Sequence, residues 1–315
     1  MRAGVIGGPP TGVLFGVTTT DTGLRGSIRR RPLTWFFALA YALSWAAWAP
    51  YILSDNGLGL LHFTFPELLG TSQLFGVLPG AYLGPIFSAF LVTSIADGRA
   101  GLRRWAGRIA NWRVSWRWYV GVVLAVPLAL TVSTIGLFNQ NPALPAAAVL
   151  VAYVPGLILQ MITTGLAEEP GWRDFALPRL QSRFGPLGGT LILGPLWGAW
   201  HLPLFFSAWG NWPHWTWLAP VEFMATCVLF SIVMTWVFNR TGESLPIAML
   251  LHTSVNNFFS LAWTQMFPSL SQQDSSNAFL LGSATVALVV LLATRGRLGY
   301  RPRVSHEPVE ATALR

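Results

Sequence analysis

Glu168, Glu169, His201 and His252 are ionisable residues set within long apolar stretches of this sequence. Such groups are costly to hold away from water and mark functional sites by default. Two carboxylates and two imidazoles can pass protons, orient a water or ligate a cation. A single buried histidine is more often a hydrogen-bonded core residue. Spread over three apolar segments, the four together are expected to share one site. Glu169 and Arg173 are four apart with the acid N-terminal, the favourable order for a helical ion pair. If Arg173 neutralises Glu169, Glu168 remains as the free base, rotated by about 100° around the helix. His252 and Asn256 are also four apart and place two polar heads on one face. Trp197 and His201 repeat that spacing, so the indole can wall the imidazole's pocket.

The elements that carry these residues follow from composition. Of 315 residues, 53% are hydrophobic and 10% charged, against about 25% charged in soluble domains. That is too little polar material to coat a soluble core of this size. The expected fold is all-α and polytopic, with about eight transmembrane helices around a central, cytoplasm-facing cavity. A span needs roughly 20 apolar residues, which places helices near 33–53, 74–96, 118–137, 148–168, 188–207, 218–238, 244–263 and 277–294. Pro155, Pro170, Gly171, Gly194 and Pro195 interrupt the fourth and fifth, as happens where backbone lines a protected cavity. Residues 1–32 read as a disordered cytoplasmic tail, 33–294 as the membrane domain with core motifs in 160–260, and 295–315 as a second cytoplasmic tail.

The charge pattern supports that count. The net charge is +8, and all 20 basic residues are Arg. They precede the first span, follow the last, or lie between spans two and three, four and five, and six and seven. The alternate loops 54–73, 138–147, 208–217 and 264–276 contain no Arg or Lys. Positive charge marks the cytoplasmic side, so both termini are expected inside a multi-pass protein of the cell membrane. Six Arg interleave with Trp between Arg99 and Trp118. Such a mix suits RNA, but between two spans it reads as an amphipathic helix among lipid headgroups, with the bilayer rather than nucleic acid as partner. The lone Cys227 permits no internal disulfide. Glu222, Glu243 and His214 read as residues at the membrane surface.

Three motifs then stand in order: Glu168-Glu169-Pro170-Gly171-Trp172-Arg173 (E-E-x-x-x-R), Trp197-x-x-x-His201, and His252-x-x-x-Asn256. Together they resemble the CPBP family of intramembrane proteases, which includes type II CAAX prenyl endopeptidases and proteins linked to bacteriocin self-immunity. The resemblance covers roughly 80–260, including Gly84-Pro85. Trp197 departs from it, since the family usually has Phe there. The resemblance implies that Glu168 and His201 activate a water, that His252 and Asn256 donate to the oxyanion, and that Glu169 and Arg173 support them. The implied substrate is a membrane-associated peptide or protein. Glu168, His201 and His252 are also a plausible Zn²⁺ set, and the family is often labelled metalloprotease. However, the two imidazoles lie on different helices and Asn256 is a poor zinc ligand, so a metal-free glutamate mechanism is favoured. A proton-coupled transporter or a catalytically silent immunity or scaffold protein on the same fold are the alternatives. No internal repeat of the transporter kind is present.

One difficulty is depth. His201 falls well inside span five, while Glu168 falls at the inner end of span four. Convergence would require helix four to begin later than 148 or helix five to break near Gly194-Pro195.

Overall fold

The computed structural model describes residues 23–301, and these form an all-α, polytopic membrane protein. A short helix, α1 (Leu24–Arg30), leads into α2 (Pro32–Leu53). Next come α3 (Gln73–Ala96), the amphipathic α4 (Gly98–Ile109) and α5 (Trp116–Phe138). A long helical run covers 147–200 and is divided at Gly185 into α6 (147–184) and α7 (186–200). The chain closes with α8 (Leu218–Arg240), α9 (Leu245–Asn257) and α10 (Gln272–Thr294). Among the described residues there is no strand, only isolated bridges in a connection.

Six helical segments are long and apolar enough to cross a bilayer. One of them, Ala147–Phe206, holds both sequence spans 148–168 and 188–207. Residues 244–263 are not among the six: a π-helical segment, Phe258–Trp263, carries α9 on past Asn257, but His252, Asn256 and Asn257 dilute its apolar run. The eight expected spans therefore correspond to six such segments, one folded in two, plus a divided helix.

The fold at Gly185 resolves the question of depth. α6 begins at Ala147, close to the expected position, and α7 passes Pro195 without breaking. Neither adjustment offered by the sequence occurs. Instead, α6 continues past Glu168 as far as Phe184, and Gly185 (φ 72°, ψ 171°) turns the chain back. Only glycine occupies that conformation readily. The returning helix packs tightly: a Cβ on Gly189 would sit 2.9 Å from the backbone at Leu180 and Gln181. Gly185 lies about midway in sequence between Glu168 and His201, so the two arms bring these residues to the same level.

α6 is not a regular helix. It widens into π turns at Met161–Gly165 and Pro170–Ala176, with one α turn, Leu166–Glu169, between them. Pro170 has no N–H to donate and its ring crowds the preceding turn, which favours such widening. Pro85 lies in a matching π segment of α3, Tyr82–Ile86. The two irregular stretches pack backbone to backbone, because a Cβ on Gly171 would lie 2.6–2.7 Å from Pro85 atoms. Around them, Trp48, Trp172 and Trp200 are fully buried, and Trp172 and Trp200 meet edge to face at 5.6 Å.

Part of the expected N-terminal tail is ordered structure. Residues 1–22 lie outside the described residues, whereas Ile28 of α1 is buried and Arg29 donates to the Ile95 carbonyl at 3.1 Å. The burial of one apolar side chain and a cap on α3 explain why this stretch folds. At the other end, Leu298 is fully buried and its carbonyl accepts from Asn239 Nδ2 at 3.0 Å. Residues 302–315 lie outside the described residues.

Candidate active site

Glu168 and Glu169 occupy the single α turn between the two π segments of α6, and both are buried. Consecutive positions send them in different directions. Glu169 Oε1 meets His252 Nδ1 at 2.8 Å, and its other oxygen faces Arg173 Nε at 3.5 Å. The expected Glu169–Arg173 pairing is present, although at ion-pair rather than hydrogen-bond range. Arg173 is itself fully buried. Its Nη2 donates to Ser231 Oγ at 3.2 Å and reaches Met234 Sδ at 3.1 Å, and its guanidinium lies 4.9 Å from the Trp197 ring. A buried charge pair of this kind is costly unless geometry and partners are well supplied. Here α8 and the indole supply part of that support, while Glu169 Oε2 and Arg173 Nε and Nη1 make no hydrogen bond.

Glu168 turns toward α7. Trp197 Nε1 donates to Glu168 Oε2 at 2.8 Å, and His201 Nε2 lies 3.9 Å from that same oxygen. His201 sits just past the end of α7, with its Nδ1 2.9 Å from the Trp197 carbonyl. A carbonyl only accepts, so Nδ1 carries the proton and a neutral ring presents Nε2 as an acceptor. The ring is held by Trp200 (4.6 Å), Trp209 (5.6 Å) and Phe223 (5.0 Å). Trp197 also meets the His252 ring edge to face at 5.2 Å. The indole therefore touches three of the four ionisable side chains and lies against the Arg173 guanidinium. From the sequence it was expected only to wall His201.

These groups line one cavity of about 890 Å³. Glu168, His201, His252, Trp197 and Asn256 all face it. Asn256 lies one turn beyond His252, and its amide has no hydrogen-bond partner within the protein among the described residues. Gln160, Thr164 and Ser260 are among the neutral polar groups that interrupt a largely apolar wall. The sequence reading missed these three, and also Ser231 and Met234. Uncharged residues within apolar stretches carry no spacing signal of the kind that exposed the acids and imidazoles.

The cavity opens on an unexpected side. Leu69 and Thr71 from the connection before α3, and Trp209 from that before α8, lie along it, and no Arg does. It faces the Arg-free end of the bundle. The Arg-bearing end instead carries the ion pairs Arg108–Asp174, Arg108–Glu243 and Arg179–Asp97. This placement sets the cavity at the end away from the arginines, whereas the sequence reading had a central, cytoplasm-facing cavity. Its cause is the length of α6, which carries the helix some four turns past Glu168 before it reverses.

The zinc set raised from the sequence is Glu168, His201 and His252. Among the described residues, no three His, Cys, Asp or Glu side chains gather closely enough to hold a metal ion. Nδ1 of His201 faces the Trp197 carbonyl and Nδ1 of His252 faces Glu169, which leaves Nε2 of each ring toward the cavity. Of the residues set aside as surface groups, Glu222 is buried and accepts from Gln273 at 2.8 Å. Glu243 faces Arg108 at 3.6 Å.

What the fold defines is a polytopic α-helical protein with a protonatable site inside its membrane-spanning bundle. The description "Type II CAAX prenyl endopeptidase Rce1-like" matches residues 150–258, which include Glu168, Glu169, Arg173, Trp197, His201, His252 and Asn256. A protein from Methanococcus maripaludis, "CAAX prenyl protease 2", is 29% identical over 126 residues, covering 36% of this chain and 43% of that protein. The chain thus spans under half the length of the curated relative it matches. Both findings are likenesses to CAAX-protease-type proteins, carried by the part of the chain that holds the site.

Proposed function

We propose that this protein is an intramembrane endopeptidase of the CAAX type, cleaving a membrane-associated peptide with a water activated by Glu168 and His201. The observation that carries the reading is the 3.9 Å separation of Glu168 Oε2 and His201 Nε2 at the cavity wall. That is too far for a direct hydrogen bond and near the span of one bridging water. An ionised Glu168 and a neutral His201 are both acceptors. A water between them gives each a hydrogen and turns its lone pair toward the cavity, where a peptide carbonyl would lie. As the water oxygen bonds to that carbon, Glu168 takes the proton and later delivers it to the departing amine.

The oxyanion would form toward His252 and Asn256. Donation from His252 Nε2, with Nδ1–H already given to Glu169, requires the doubly protonated ring. The Glu169 carboxylate balances that charge, and Arg173 holds Glu169. Asn256 supplies the second donor from its unpaired amide. Each such donor is worth roughly 10²–10³ in rate. No step in this scheme needs a metal.

The test compares membrane peptides in cells carrying wild-type protein or Glu168→Gln. The variant keeps the shape and the indole contact but cannot accept the proton, so processed fragments should disappear while the protein still accumulates. Undiminished turnover of a verified substrate would sink the assignment. With that substrate in hand, metal-stripped protein should retain its rate. Loss of activity under a strong chelator, restored by stoichiometric Zn²⁺, would replace this mechanism with a metal one.

A further inference from the structure

At the end of the bundle opposite the catalytic cavity lies a second cavity of about 520 Å³, between α3, α4, α6 and the segment after α10. Its cations divide into two groups. Arg108 is taken by Asp174 and Glu243, and Arg179 by Asp97 at 2.5 Å and the Phe175 carbonyl at 2.9 Å. Arg104 and Arg301 line the same space, are exposed, and have no acidic partner among the described residues. Thr93 adds an independent sign. It is 2% exposed and lines this cavity, yet its Oγ1 has no hydrogen-bond partner. A buried hydroxyl left unsatisfied beside two unpaired guanidiniums calls for an anionic acceptor.

The surroundings indicate where that anion comes from. α4 is strongly amphipathic, and Trp112 and Trp116 just beyond it are exposed, as expected of an element lying at headgroup depth. A planar guanidinium matches phosphate oxygens with two parallel hydrogen bonds. The volume leaves room for a phosphodiester with its substituents. We propose that this cavity binds the phosphate of an anionic phospholipid headgroup, gripped by Arg104 and Arg301 and capped by the Thr93 hydroxyl. The site bears on the catalytic turn, because Trp105 of α4 donates to the Pro170 carbonyl at 3.1 Å, one residue beyond Glu169. An occupied cavity would hold α4 against the π segment that aims the glutamates.

Thermal unfolding of the full chain in nanodiscs tests this without any reference to peptidase activity. Ligands that bind only the folded state raise the midpoint by mass action. Phosphatidylglycerol added to phosphatidylcholine discs should raise it. In the double variant Arg104→Gln/Arg301→Gln the apparent affinity should fall by about tenfold or more. Both arginines are exposed and unpaired, so the variant should fold. Thr93→Val should weaken the effect in part, and Arg103→Gln/Arg117→Gln, exposed and outside the cavity, should leave it intact. A parallel arm adds inorganic phosphate to phosphatidylcholine discs against chloride of equal ionic strength. Stabilisation there, lost in the same double variant, would assign the phosphate site to a free anion instead of a lipid. Equal stabilisation of wild type and Arg104→Gln/Arg301→Gln overturns the proposal. So does an equal loss in the Arg103/Arg117 control, or no response to either phosphate source.

Discussion

Trp197 stands at the centre of the site in a role its neighbours cannot fill. Its indole N–H fixes the Glu168 oxygen that faces His201, while its ring lies against His252 and beneath Arg173. A phenyl ring at the same position would preserve the wall and remove the donor. Trp197→Phe should therefore leave the thermal midpoint nearly unchanged and lower kcat by about tenfold, the scale of one hydrogen bond to a charged group. A rate equal to wild type would show that Glu168 is aimed by packing alone. Asn256→Ala makes the complementary test across the cavity, with an expected rate loss of roughly 10²–10³. The residue types were legible in the sequence because ionisable groups are conspicuous among apolar ones. Their pairings were only half legible. Glu169–Arg173 follows from helical spacing, whereas Glu169–His252 joins positions 83 residues apart and depends on how α6 and α9 pack.

At the scale of elements, the decisive feature is the reversal at Gly185. Hydropathy gave the apolar lengths of α2, α5, α8 and α10 to within a few residues, since each is one uninterrupted run. It placed the end of span four too early, because 170–184 is polar and was read as a loop. Those residues are helical and mostly buried: Arg173 and Asp174 are fully enclosed and find partners on α8 and α4. A polar helix buried by tertiary pairing looks like a connection to any reading based on hydropathy. The reversal itself depends on one backbone conformation. Gly185→Ala should cost about 1–3 kcal/mol, as is usual for a side chain forced into the glycine-only region. It should also lower activity by separating Glu168 from His201. Gly188→Ala is the matched control, since its φ is ordinary and its added Cβ would meet only Phe184 Cβ at 3.3 Å. Thermal unfolding and turnover measured on both variants decide the matter. Equal behaviour of the two would mean that the hairpin does not depend on Gly185.

On the scale of the whole molecule, charge and cavity point to opposite ends. Arginines gather where α4, the Gly185 turn and the segment after α10 meet, and the cavity opens among connections that have none. A bilayer orients such a chain by its positive loops, because moving several guanidiniums across the membrane is unfavourable. The Arg-bearing end should then face the cytoplasm, and the catalytic cavity should open to the outside. Labelling with a membrane-impermeant maleimide tests this directly. Cys227 is the only cysteine and is buried, so Cys227→Ser provides a silent background. Leu69→Cys at the cavity mouth and Leu144→Cys in a second Arg-free connection are both well exposed sites. In intact cells both should label. Ser182→Cys, exposed on the arm of α6 near the Arg-rich cavity, should react only after lysis. Under that outcome a peptide substrate would reach Glu168 from the outer face or from the outer half of the bilayer. Labelling of Ser182→Cys in intact cells, with Leu69→Cys protected, would invert the molecule. The cavity would then open to the cytoplasm, against the charge rule, and the lipid phosphate proposed for the Arg104 cavity would have to come from the outer leaflet.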